Sequence, residues 1–82
     1  MSQARVLVIE DDIVFQELVS SYLNQLDYDV QCATRGEEGI TLCQRQMPDI
    51  ILCDLHLPDV SGLQVIEKLL TSTADLPIIV VS

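Results

Sequence analysis

The sequence predicts an α/β domain, a parallel sheet of four strands wound on both faces by helices. Three observations lead there. Continuous apolar runs recur, Val6-Leu7-Val8-Ile9, Ile50-Ile51-Leu52-Cys53 and Ile78-Ile79-Val80-Val81, and such runs read as strands buried on both faces. Stretches with an apolar period of three to four residues stand between them, so the element order is β-α-β-α-β-α-β. The connections are short, as parallel strands joined by right-handed helical crossovers require.

The first strand covers Val6 to Ile9. Phe15, Leu18, Val19, Tyr22, Leu23 and Leu26 then recur at helical spacing, which predicts a core-facing helix with Asp12 as its N-cap. Asp27 and Asp29 mark the exit into a short second strand, Val30 to Ala33. Arg35-Gly36 reads as a turn. Glu37 and Glu38 suit the start of a second helix because they oppose its dipole, and Ile40 and Cys43 share one face. Gly36-Glu37-Glu38-Gly39 lacks the glycine spacing and the lysine of a phosphate loop. Pro48 closes this helix, and the third strand, Ile50 to Cys53, ends in Asp54. Ser61 is an N-cap candidate for a third helix whose apolar stripe is Leu63, Ile66, Leu69 and Leu70. Pro58 and Gly62 shape the loop after Asp54, with Gly62 supplying a backbone geometry that other residues resist. Thr71 to Asp75 reads as a polar loop, and the fourth strand runs from Ile78 to Val81.

With 82 residues the chain is a single small domain, and its 49% hydrophobic content with three Gly and three Pro argues against disorder. Thirteen acids against four bases leave a net charge of −9, which repels nucleic acid and anionic membranes. The first apolar run is too short for a signal peptide or a membrane span, so a cytoplasmic location is expected. Cys32, Cys43 and Cys53 are odd in number and lack C-x-x-C spacing, so neither a disulfide framework nor a zinc site is indicated.

The chemistry gathers at strand ends. Glu10, Asp11 and Asp12 follow the first strand, Asp54 follows the third, and ligands of open α/β sheets bind outside the C-terminal ends of the strands. A flavodoxin-like strand order would make the first and third strands neighbours and bring Glu10 and Asp11 beside Asp54, although local patterning does not choose among doubly wound orders. Acids crowded in this way repel one another until a cation neutralises them. Magnesium suits two carboxylates plus a backbone carbonyl and keeps waters that phosphate oxygens can replace. A strand-end carboxylate in such a site can attack phosphorus and hold an acyl phosphate. Asp12 is read as a cap rather than a ligand, and the side chain of His56, the single histidine, as an exposed loop group rather than a base.

The segments 6–12, 48–62 and 76–82 resemble those of the receiver domains of two-component response regulators, in order and along the whole chain. The resemblance implies a flavodoxin-like doubly wound receiver fold that is incomplete, with residues 1–82 forming its N-terminal portion and the C-terminal third absent. It implies that Asp54 is the phosphoacceptor, that Asp11 binds magnesium directly with Glu10 assisting, that the backbone carbonyl of His56 is a further ligand, and that Ser82 is the switch hydroxyl. A sensor histidine kinase or phosphotransfer protein is the implied donor, and an output domain or partner the receiver of the signal. The chain departs from the pattern in one respect: receivers carry a lysine in a fifth strand, whereas the single lysine here, Lys68, falls in the third helix.

Two rivals belong to other classes. A magnesium-dependent phosphohydrolase would use Asp54 as nucleophile, but it calls for an aspartate two residues later, where His56 stands. A non-phosphorylatable interaction fragment would associate through the exposed edge of the fourth strand, since a bare apolar edge invites pairing. The leading expectation is a signalling phosphoacceptor rather than an enzyme.

Overall fold

The computed structural model describes residues 3–72 and 75–81. Four strands, β1 (Arg5–Ile9), β2 (Asp29–Ala33), β3 (Ile50–Asp54) and β4 (Ile78–Val81), form one sheet in the order β2-β1-β3-β4. Every pairing is parallel. Helices α1 (Ile13–Gln25), α2 (Gly36–Arg45) and α3 (Gly62–Ser72) make the crossovers. The predicted doubly wound class therefore holds, and so does the flavodoxin-like adjacency of β1 and β3.

The core lies on one face of the sheet. Leu7, Ile9, Ile51 and Cys53 point there and pack with Ile40 and Cys43 of α2 and with Val65 and Leu69 of α3. Leu76, just before β4, closes the cluster. On α3 the inward residues are Val65 and Leu69, four apart, so of the stripe expected from the sequence Leu69 holds and Val65 was missed. Leu63 and Leu70 are exposed and Ile66 is half-buried, because a wide apolar arc on a helix exceeds what one sheet face can cover. The helix also takes in Thr71 and Ser72, expected as loop.

Helix α1 departs further from expectation. Phe15, Leu18, Tyr22 and Leu26 are exposed, Val19 and Leu23 are half-buried, and the buried residue of this helix is Gln16. Its periodicity is real, but the apolar line 15-18-22-26 lies beside the sheet-facing line 16-19-23. The cap is as predicted: Asp12 accepts from the N–H groups of Val14 and Phe15 at 3.0 and 3.2 Å. At the other end Tyr28 N–H reaches Leu23 O and Asp27 N–H reaches Asn24 O, a Schellman closure that puts Asp27 in the left-handed region at φ 67°.

Helix α2 begins at Gly36 rather than after it. Its first N–H groups are held from outside, since the Asp59 carboxylate accepts from Gly36 N–H at 2.8 Å and from Glu37 N–H at 3.0 Å. Helix α3 carries its own reciprocal cap between Ser61 and Gln64, at 3.1 and 3.2 Å.

Candidate functional site

The register of β1 against β3 pairs Ile9 with Cys53, so the next residue on each strand, Glu10 and Asp54, leaves the sheet side by side. Oxygens of Glu10, Asp11 and Asp54 all lie within 4.8 Å of one another. Glu10 is buried, Asp54 half-buried and Asp11 exposed, so the group grades from the protein interior to water. Beneath it an apolar void of about 50 Å³ runs between α1 and the sheet, lined by Phe15, Val19, Leu52 and Val81.

Burial separates the proton affinities of the acids. It pushes Glu10 up to about 7, and hydrogen bonding to Asp54 and the charge of Asp54 act in the same direction. Burial alone would also raise Asp54, but hydrogen bonds from Glu10 and from the His56 N–H at 3.0 Å, together with Asp11, hold it below the ordinary carboxylate value. Proton affinity is thus raised at Glu10 and lowered at Asp54, so the charge of the pair is biased toward Asp54. Cys53, which precedes Asp54 on β3 and pairs with Ile9, is pushed up to about 11 by burial and by the charges of Asp54 and Glu10, so its thiol is inert.

The loop after Asp54 is tightly tied. Leu55 N–H donates to Val81 O at 3.0 Å, Gly62 N–H to Leu55 O at 2.9 Å, and His56 bridges to Ser61. Gly62 is needed for close approach and not for a special φ, because no glycine among the described residues has positive φ. A Cβ there would press on the carbonyl oxygen of Asp54 and stand 2.6 Å from Leu55 Cα. A shallow cavity of about 420 Å³ opens beside this loop, bounded by Asp11, His56, Asp59, Ser61 and Gln64. The larger groove, about 650 Å³, lies between α2 and α3 and contains none of the three clustered acids.

Of the residues singled out from the sequence, the structure brings together Glu10, Asp11 and Asp54. Asp12 stays a cap, with its own N–H donating to the Glu10 carboxylate at 3.3 Å. His56 enters the site through its backbone N–H. Lys68 pairs with Glu37 at 3.9 Å across the α2–α3 groove. Ser82 lies outside the described residues. Sequence reasoning missed Gln16 and Asp59. Gln16 interrupts an apolar pattern and so carried no signal, and Asp59 caps N–H groups 22 and 23 residues upstream, beyond any local motif.

Comparison with known proteins agrees with this geometry. The family model for the response regulator receiver domain matches residues 6–82. The cell cycle response regulator CtrA of Brucella ovis is 41% identical over 78 residues, and the transcriptional regulator RpaA of Synechocystis is 40% identical over 80. Each alignment takes in 95% of this chain, and the chain spans about a third of the length of these relatives, 34% and 33%. Among solved structures, a CheY-like receiver domain from Methanospirillum hungatei superposes with a TM-score of 0.94 at 25% identity, covering 96% of this chain and 63% of that one. The non-phosphorylated HemR receiver domain of Leptospira biflexa gives 0.91 at 31% identity, covering 95% and 63%.

Proposed function

The chain belongs to the response regulator receiver domain family, and on that premise we propose that it accepts a phosphoryl group on Asp54 from a histidine kinase or phosphotransfer protein and passes the signal to an output domain or partner. The observation that carries this reading is the convergence of Glu10, Asp11 and Asp54 at the C-terminal ends of adjacent strands, with Asp54 held ionised. In the transfer an Asp54 carboxylate oxygen bonds to phosphorus while the phosphorus–nitrogen bond of the donor phosphohistidine breaks. The electron pair returns to the donor imidazole, and Asp54 is left as an acyl phosphate.

The donor set fits magnesium: hard carboxylate oxygens from three residues lie within 4.8 Å of one another. Bound there, magnesium would neutralise the charge of the acids and of the incoming phosphate. Asp11 and Asp54 are proposed as direct ligands with the His56 carbonyl, and Glu10 as an assisting one. The pairing of Asp54 with Val81 supports giving the next residue, Ser82, the switch-hydroxyl role. The protein is read as a signalling domain and not a turnover enzyme.

With a net charge of −9, contact with nucleic acid is assigned to an output partner and not to this chain. No helix among the described residues is long and apolar enough to cross a membrane, and a cytoplasmic location beside the donor is proposed.

The test is labelling by a small phosphodonor with magnesium, read by intact mass. One phosphoryl group is expected on the wild type and none on Asp54→Asn. Equal labelling of the two would overturn the assignment.

A further inference from the structure

We propose that Gln16 is a positioning residue for the acidic site, holding the Glu10–Asp11 peptide in the orientation that brings the two carboxylates to Asp54; the consequence for magnesium rests on the reading above. Helix α1 turns this amide inward, 9% exposed, while Val14 and Leu18 around it are 68% and 66% exposed. An amide in that place calls for a polar reason. Both of its contacts are backbone carbonyls at the C-terminal edge of the sheet: Nε2 donates to Glu10 O at 3.0 Å and to Ala33 O at 3.2 Å.

Ala33 O also accepts the Glu10 N–H, at 2.9 Å. Both backbone groups of Glu10 are therefore held, its N–H by β2 and its carbonyl by Gln16. The Glu10 carbonyl begins the peptide that leads to Asp11, and fixing it sets the direction in which Asp11 leaves the strand. Beyond Asp11 the chain is pinned again by Asp12, which caps α1 and donates its N–H to the Glu10 carboxylate. Without the amide, a carbonyl buried at the sheet edge loses its partner and turns toward water, taking Asp11 with it.

The experiment compares the wild-type 82-residue chain with Gln16→Met, which keeps length and loses the donors, and Gln16→Arg, which restores N–H donors. Leu23→Ala serves as a control on the same helix. Amide hydrogen exchange at Glu10 to Asp12 is measured without metal, magnesium affinity by calorimetry, and stability by thermal melting. Gln16→Met is expected to speed exchange at these amides and to weaken magnesium, each by about tenfold, the equilibrium counterpart of one lost buried hydrogen bond. Gln16→Arg recovers most of the slow exchange, while its added positive charge leaves magnesium affinity low, and Leu23→Ala lowers the melting temperature while changing neither exchange nor affinity. Unchanged exchange and affinity in Gln16→Met, or the same changes in Leu23→Ala, overturn the proposal. Faster exchange in Gln16→Met with no magnesium binding even by the wild type supports the positioning role and overturns the magnesium reading instead. Should Gln16→Met fail to fold, Gln16→Asn, whose amide is one carbon short, takes its place with the same expectations.

Discussion

Replacing Gly62 by alanine sets two opposing effects against each other at the site. Gly62 opens α3, where alanine lowers backbone entropy in the unfolded chain and favours the helix by about 0.5–1 kcal/mol. Against this, the added Cβ meets backbone: it presses on the Asp54 carbonyl oxygen and falls 2.6 Å from Leu55 Cα and 3.0 Å from the Asp54 carbonyl carbon. Backbone cannot rotate aside as a side chain can, and displacing packed atoms costs about 1–3 kcal/mol. Since all the atoms met are backbone, the cost falls at about 2–3 kcal/mol and the clash wins by roughly 1–2.5 kcal/mol, which in a domain of this size lowers the melting temperature by about 4–20 °C. The displaced atoms belong to Asp54 itself, so phosphodonor labelling should fall along with stability. Gly39→Ala is the comparison, since the atoms nearest its Cβ belong to the Ile9 side chain, with Cδ1 at 2.5 Å. Thermal and urea melting of both variants measures the difference. A Gly62→Ala protein as stable as the wild type, or more so, would refute the close-approach argument and return this glycine to a generic loop role.

Magnesium affinity should rise about tenfold between pH 6 and pH 8 if Glu10 must ionise to assist, because its proton leaves at about 7; calorimetry at the two pH values checks this, and a flat profile counts against Glu10. The sign reverses for the metal-free chain. Glu10 is raised from 4.5 to about 7 on folding, so its contribution to stability is present below pH 4.5 and is lost as pH climbs to about 7, a trend for melting curves in chelator. Asp27→Gly should stabilise by about 0.5–1 kcal/mol, since glycine accepts the left-handed conformation of the α1 closure without strain; denaturant melting reads it. Asp59→Ala should lower the melting temperature by leaving the Gly36 and Glu37 N–H groups without their cap. Hydrogen bonds from the Glu37 and Gly36 N–H groups hold Asp59 below 3.8, so its contribution in the wild type is present above 3.8 and is lost as pH falls through the lowered value, a loss the variant should not show in acid titration.

What was legible along the chain was whatever depends on near neighbours. The apolar runs located three strands and the helix exit at Asp27 and Asp29 the second, Asp12 and Ser61 announced their caps, and the strand-end acids with Asp54, Pro58 and Gly62 carried the resemblance to receivers. The wrong expectations arose where periodicity had to stand for contact. Leu18 and Tyr22 keep helical spacing yet face solvent, because a period tells which residues share a face and not whether anything covers it. On α3, Leu69 turns inward as expected, but Val65 is buried while Leu63 and Leu70 stay exposed, because the sheet admits only part of a broad apolar arc.

The sequence by itself determined the elements, their order and the chemical kind of the site, since apolar period, turn residues and strand-end carboxylates act within a few residues of one another. Only the tertiary structure decided that β1 lies against β3, that proton affinity rises at Glu10 and falls at Asp54, and that Gln16 and Asp59 hold backbone groups in other elements. These depend on burial and on hydrogen bonds between residues distant in the chain, and neither exists until the strands and helices have packed.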